Sequence, residues 1–408
     1  MSIQLANIPH ARSSLSLLTL ALISACGGGQ TADGPTGSTS TASSARFVFI
    51  GDGRKGMTTD PRSGDEEVAE IRSLTPVPVA PAPAPAPAPA PSPKTTMTAS
   101  FPSIDVSKIP VGSSGVATDQ LAPTNEVPAP NDIGAFRTVC EFSHMAFDDP
   151  IVFPGQPGRS HLHAFFGNTG VGANSTAASI ANTGNSTCRG GTINRSGYWV
   201  PAMIDTLDGT PVRPDSMIIY YKTGYNGLAP ASIQALPAGL RMIAGDSSNK
   251  APYPQWTSPM RFACIDPVTG TGPQTQNVPT TCAVGNIVWS SVVFPQCWDG
   301  VNLDSPDHKS HMAYPSGGAC PATHPVPVPE ITTNVVYTVK DAAAPARWRL
   351  ASDSYDASVP AGYSSHADWF HGWKPEIMDT FIRNCDQPAK DCSAHLLGNG
   401  QKMLGVGV

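Results

Sequence analysis

Short stretches in which apolar and polar residues alternate recur along the chain from residue 136 onward. They are Phe136 to Phe142, Tyr198 to Ile204, Ser216 to Tyr221, Leu240 to Ala244, Met260 to Ile265, Ile287 to Phe294, Thr332 to Val339 and Trp348 to Leu350. Each is rich in β-branched or aromatic residues and is bounded by Gly, Pro, Asn or Asp, the pattern of half-buried strands separated by turns. This spacing predicts an all-β fold, mostly an antiparallel, jelly-roll-like β-sandwich with long loops and a few short helices. Helical periodicity is sparse. It is read at Ala367 to Phe370 and at Lys374 to Asn384, where Trp373, Ile377 and Phe381 share a face and Pro375 suits a first turn.

Composition divides the 408 residues into a tail and a body. Gln30 to Ser44 is almost entirely Gly, Ser, Thr and Ala, whereas Pro76 to Pro93 alternates Pro with Ala or Val. The first is a flexible coil and the second an extended polyproline spacer. Arg46-Phe47-Val48-Phe49-Ile50 before Gly51-Asp52-Gly53 lacks the third glycine and the helix of a nucleotide loop. The expected organisation is a leader over 1–26, a disordered tether over 27–130 and one domain over 131–408. That domain holds all seven Trp and nine of the ten His, and it is ample for a buried core.

The leader places His10 and Arg12 before an apolar stretch from Leu15 to Ile23 and ends in Leu22-Ile23-Ser24-Ala25-Cys26. This is the form of a bacterial lipoprotein signal, with Cys26 as the lipidated residue; the stretch is too short to span a bilayer. An ordinary secretory signal is the alternative, and both export the chain to the cell envelope or beyond. Nine cysteines less Cys26 leave eight, an even number suited to disulfides in an exported protein. Neighbours close the shortest loops, so the expected pairs are Cys140 with Cys188, Cys264 with Cys282, Cys297 with Cys320, and Cys385 with Cys392. No Cys-x-x-Cys occurs, which argues against a zinc-thiolate site.

Three histidine-bearing segments carry the candidate chemistry. The first, from Asp149 to Asn168, contains Gly158-Arg159-Ser160-His161-Leu162-His163-Ala164-Phe165-Phe166-Gly167. The second is Asn302-Leu303-Asp304-Ser305-Pro306-Asp307-His308-Lys309-Ser310-His311-Met312-Ala313-Tyr314-Pro315, and the third Ser365-His366-Ala367-Asp368-Trp369-Phe370-His371-Gly372-Trp373. Taken in this order, they resemble the secreted family catalogued as domain of unknown function 1996, found in bacteria and, often beside carbohydrate-binding modules, in fungi. The resemblance covers about Asp149 to Trp373 and implies one exported domain with a histidine-rich centre. Where it leads one to expect Phe and then an amide or small residue before Gly372-Trp373, this chain has Trp369-Phe370-His371, which argues against a role for His371.

On an extended backbone, His161 and His163 face the same side about 7 Å apart, able to clamp a metal ion or an oxyanion. Asp307 and His311 would share a face of a helical turn, and His366 and Asp368 form a further imidazole–carboxylate pair. The expected site is therefore His161, His163, Asp307, His311, His366 and Asp368, converging in one cleft. His161, His163 and His311 are the candidate ligands of a divalent metal, zinc or copper. Without a metal the same residues would work as acid and base, or Asp304, Asp307 and Asp368 as paired carboxylates on a polysaccharide. Arg159, Asn168, Tyr314, Trp369 and Trp373 are candidate substrate contacts, and Trp199, Trp256, Trp289, Trp298, Tyr220 and Tyr221 further aromatic faces. A buried His/Asp network that merely pins loops is the structural alternative.

No Gly-x-Ser-x-Gly elbow occurs, and maturation at Cys26 leaves no amino-terminal histidine for a copper brace. A net charge of −6 without a Lys/Arg cluster argues against nucleic acid. The expected function is action on an extracellular polysaccharide, through glycan cleavage, by a surface lipoprotein. The alternative is a non-catalytic glycan- or metal-binding surface protein. Cys26→Ser is expected to release the chain from membranes, because the polar tail supplies no other anchor; membrane association that persists on fractionation would overturn the lipoprotein reading.

Overall fold

Nine strands with inward-facing apolar side chains build the core. The computed structural model describes residues 103–223, 226–254, 259–356 and 358–405; the leader, Cys26, the polyproline spacer and Trp256 lie outside the described residues. The strands are β1 (Ala135–Ala146), β2 (His163–Gly167), β3 (Gly197–Pro201), β4 (Ser216–Lys222), β5 (Arg241–Gly245), β6 (Met260–Ile265), β7 (Ile287–Val293), β8 (Glu330–Thr338) and β9 (His366–Phe370). They pair antiparallel in the order β6-β7-β8-β4-β1-β2-β3-β9-β5. The path curls, so that β5 returns near β7.

β1 joins the two halves of this sheet. Ala135 to Glu141 pairs with β4, and a register shift between Phe142 and His144 turns the rest of the strand onto β2. A bulge of this kind bends a strand and strengthens its twist. The halves face each other across one core containing Phe136, Phe142, Ala164, Phe166, Tyr198, Val200, Met217, Ile219, Tyr221, Met242, Val288, Val335, Tyr337 and Trp369. The expected all-β, antiparallel, disulfide-stapled fold is therefore the fold observed. The four disulfides are Cys140–Cys188, Cys264–Cys282, Cys297–Cys320 and Cys385–Cys392, the pairs expected from loop closure.

Two expectations about local structure are corrected. Ala367 to Phe370 is strand, not helix, because β3 and β5 flank it and pair with it on both edges; such pairing outweighs the helical preference of Ala367. The second concerns the amino-terminal edge of the domain, which was expected near residue 131. Leu121–Pro123 pairs antiparallel with Gln401–Met403, and Ser113 donates to the Phe142 carbonyl. Residues 103–130 thus belong to the folded body, held by backbone hydrogen bonds that their composition does not announce. The helix expected at Lys374 to Asn384 is α1 (Pro375–Phe381), continued by a π turn at Ile382–Asp386. Its Phe381 stacks on Phe136 at 4.0 Å.

The outer face of β2, β3, β9 and β5 is also covered. Phe165, Trp199 and Phe370 pack there with Ile151, Val171 and Ile180, which come from the long loops. Among the described residues no helix is long and apolar enough to cross a membrane.

All eight body cysteines are expected to resist alkylation in unreduced, denatured protein. Loop-closure entropy assigns about 4 kcal/mol to Cys140–Cys188, which spans 48 residues, and about 2.4 kcal/mol to Cys385–Cys392, which spans 7. Cys140→Ser with Cys188→Ser should accordingly lower the melting temperature more than the Cys385/Cys392 double variant does. Equal losses would show that local packing outweighs loop length.

Candidate metal centre

The centre forms on this covered outer face. Strand alternation puts Ala164 and Phe166 into the core and turns His163 and Phe165 outward; likewise Ala367 and Trp369 point in while His366, Asp368 and Phe370 point out. Trp199 of β3 stands opposite both Phe165 and Asp368, so β2 and β9 flank it. His161 lies just before β2, with the intervening Leu162 fully buried in the core. The rings of His161 and His163 are 4.2 Å apart, closer than the strand repeat alone predicts, and His366 stands 5.0 Å from His161.

Two backbone carbonyls set the protonation of this cluster. His163 donates from Nδ1 to the Asp148 carbonyl at 2.9 Å, and His366 donates from Nδ1 to the Ser364 carbonyl at 2.9 Å. A carbonyl only accepts, so each ring carries its proton on Nδ1 and, when neutral, a bare lone pair on Nε2. Those two Nε2 atoms face each other 3.4 Å apart. Burial lowers both pKa values to about 4, that of His366 with repulsion from His163 as a second cause, so neither ring is charged at neutral pH. His161 is lowered well below the usual imidazole range, first by burial and then by its two neighbours, and its Nε2 is buried without a hydrogen-bond partner.

The carboxylates complete the cluster. Asp368 is fully buried, neither oxygen accepts a hydrogen bond, and one oxygen lies 3.9 Å from His366 Nε2. Burial, and then the neighbouring Asp149, push its pKa well up. Asp149 is raised by burial too, against the opposing effect of the Val152 and Ile151 amides that its Oδ1 accepts. One donor atom from each of His161, His163 and His366 falls within 4.8 Å of the others, and the same holds for Asp149, His163 and Asp368. His163 is common to both groups.

Four of the six residues expected at the site therefore meet: His161, His163, His366 and Asp368. Asp307 and His311 do not, and the reason is local. Asp307 is exposed and its Oδ1 accepts from Ser305, Lys309 and Ser310, so it closes the turn. His311 spends both ring nitrogens, donating from Nε2 to the Arg241 carbonyl at 2.7 Å and meeting the Ser305 hydroxyl at Nδ1. It is a fastener of the 302–311 loop, not a ligand. Asp304 bridges Arg241 and His308 in the same fastening.

The expected substrate contacts are also largely structural. Asn168 is buried, donating to the Ile180 and Thr183 carbonyls and accepting from Gly170. Trp369 and Trp373 lie in the core, Trp373 donating to the Tyr221 hydroxyl at 2.8 Å. Tyr314 is exposed and donates to the Val293 carbonyl, whereas Arg159 is exposed and lies over Phe153. His371 packs against Trp369 on the core side, away from the cluster. Asp149 was missed as a participant: it stands inside the first histidine motif, but only the folded chain brings it to the cluster.

An antiparallel β domain, disulfide-stapled, with a buried three-histidine and carboxylate cluster on a loop-covered sheet face, is the class of protein these features define. The family described as domain of unknown function (DUF1996) matches residues 149–373, and the chain belongs to it. That span begins at Asp149 and ends at Trp373, so it contains every member of the cluster. No curated protein and no solved structure matches the chain.

Because burial keeps His163 and His366 neutral down to about pH 4, protons compete poorly for their Nε2 atoms. Zinc held at this cluster should remain bound at pH 5 and be released as the pH falls toward 4. Exposed histidines, titrating near 6.5, would release it about two pH units earlier. Equilibrium dialysis with zinc across this range checks it; release centred near pH 6.5 would contradict the buried ligation.

Proposed function

We propose that this domain binds one divalent transition-metal ion, zinc in the first place, at His163, His366 and Asp368, with His161 as the fourth ligand. The observation that carries this reading is the 3.4 Å between the Nε2 atoms of His163 and His366, each bare because its Nδ1 is committed to a carbonyl. Two lone pairs held face to face repel unless a cation lies between them. A tetrahedral zinc with Zn–N bonds of about 2.0–2.1 Å needs its ligand nitrogens about 3.3–3.4 Å apart. Buried Asp368, with no donor for either oxygen, supports the same reading, since an unpaired buried carboxylate is costly. The fixed Nδ1 protons are the outer hydrogen bonds that metal-ligating imidazoles ordinarily make.

The protein acts outside the cytoplasm, in the cell envelope, tethered through a lipidated Cys26. Four disulfides support the oxidising compartment. Glycan cleavage is the second reading, and one observation favours it: a second carboxylate, Asp149, joins Asp368 beside His163. Two buried carboxylates, Asp149 and Asp368, would then stand ready to hold a bound water. Five of the six described tryptophans are buried, however, so they form no sugar-stacking surface. Metal binding is therefore the primary reading.

Elemental analysis of the purified full chain should find one zinc per molecule. His163→Ala and His366→Ala should each lose it, and Asp368→Asn should bind it far more weakly while making the metal-free protein more stable at pH 7, because a buried unpaired acid is replaced by a neutral amide. Full-strength zinc binding by all three variants would refute the site.

A further inference from the structure

Asp149 and the four ligands proposed above come from places that no disulfide joins. Asp149 and His161 belong to the loop between β1 and β2, His163 to β2 itself, and His366 and Asp368 to β9. β3 stands between β2 and β9, and none of the eight paired cysteines lies on β2, β3, β9 or β5. His163 and His366 are 203 residues apart, whereas the widest disulfide spans 48. A metal clip that closes so long a loop restricts the unfolded chain more than a shorter bridge does.

Asp149 is oriented by the protein alone. Its Oδ1 accepts the Ile151 and Val152 amides, both at 2.9 Å, and its carbonyl accepts the Phe153 amide at 3.0 Å, while among the described residues nothing donates to Oδ2. Carboxylates that ligate a metal are ordinarily hydrogen-bonded in this way from outside the centre. One ligand atom of Asp149 lies within 4.8 Å of ligand atoms of His163 and Asp368. Ionised, the two carboxylates carry two negative charges, the match of a divalent ion. Asp149, His163, His366 and Asp368 are each at most 4 % exposed, and the half-buried His161 has its Nε2 out of solvent. Structural zinc sites are closed by protein donors in this manner, whereas catalytic ones keep a position for water.

Resting on the metal reading above, we infer that Asp149 binds the same ion through Oδ2 and that the centre is closed, a structural clip that ties the 149–163 segment and β2 to β9 and leaves no position for water or substrate. Three imidazole nitrogens and two carboxylate oxygens then surround the ion. Such a centre works as a staple and not as a catalyst. Without metal, the loops that cover this face are the part of the domain that loosens first.

The test uses the full chain loaded with Co²⁺ in place of zinc, whose visible absorption reports its ligands. One cobalt should bind, with a spectrum that azide does not change. Asp149→Asn separates ligation from turn formation, because the Asn carbonyl oxygen can still accept the Ile151 and Val152 amides while its NH2 takes the place of Oδ2. This variant should lose more than about a hundredfold in zinc affinity, beyond the roughly 10–100-fold typical of an outer hydrogen-bond partner. Its cobalt spectrum should respond saturably to azide at the vacated position. Removing zinc from the wild-type chain should speed amide exchange in the 149–163 segment and β9 while leaving β6 and β7 unchanged. Failure of the wild type to bind cobalt would overturn the metal site itself. A saturable azide response in the wild type would leave the metal site standing but overturn the closed centre in favour of a catalytic one. A smaller affinity loss in Asp149→Asn, or no azide response there, would remove Asp149 from the ligands, and amide exchange indifferent to zinc would overturn the clip.

Discussion

Two hydrogen bonds to backbone carbonyls govern the character of this centre. The Asp148 and Ser364 carbonyls hold the protons of His163 and His366 on Nδ1, so their Nε2 atoms must meet as two lone pairs. In water such rings would rotate away or pick up a proton. Here rotation would break a hydrogen bond in a dry environment, and protonation is opposed by burial. The fold thereby holds the two nitrogens in an arrangement that a cation between them would relieve.

Burial of the sheet's outer face makes that constraint possible. In a sandwich this face ordinarily meets solvent, and histidines on it would titrate near their usual value. Ile151, Val171 and Ile180 cover it from one side, packing with Phe165, Trp199 and Phe370. Along β5 the 302–311 loop is fastened by Arg241–Asp304, by the His311 bond to the Arg241 carbonyl and by Lys309 on Gly245. The second histidine motif thus serves the first and third without sharing their ligands: its imidazoles hold a loop in place, and its lysine contributes charge.

The carboxylates show the cost of this arrangement. Asp368 and Asp149 are both driven toward their protonated forms by burial, and each ionised group would raise the other's cost. Replacing Asp368 by Asn or a hydrophobe of similar size would relieve that penalty in the metal-free chain. A bound metal ion inverts that penalty by pairing the charge. Stability in the metal-free chain comes instead from the inter-sheet core, where Phe136, Tyr221, Trp373 and Phe381 form one aromatic cluster, and from the four disulfides.

Alternation of apolar residues was enough to determine most strands and the β class, because the two-residue period is a property of the strand itself. The separation of the eight body cysteines pointed to their pairing, because nearby cysteines close loops at the least entropic cost, but only the fold selected it among 105 connectivities. The histidine motifs pointed to His161, His163, His366 and Asp368, since distant segments that each carry histidine could converge on one site. Sequence could not separate these from Asp307 and His311, which have the same chemistry but spend it on a turn and a loop. Nor could it reveal that His366 to Phe370 is a strand, or that residues 103–130 join the domain. Those outcomes depend on which backbones become neighbours: β3 and β5 flanking β9, Gln401–Met403 beside Leu121–Pro123, and the carbonyls of Asp148 and Ser364 beside two imidazoles. A carbonyl has no side-chain identity to read, so the protonation of this centre was decided only by tertiary structure.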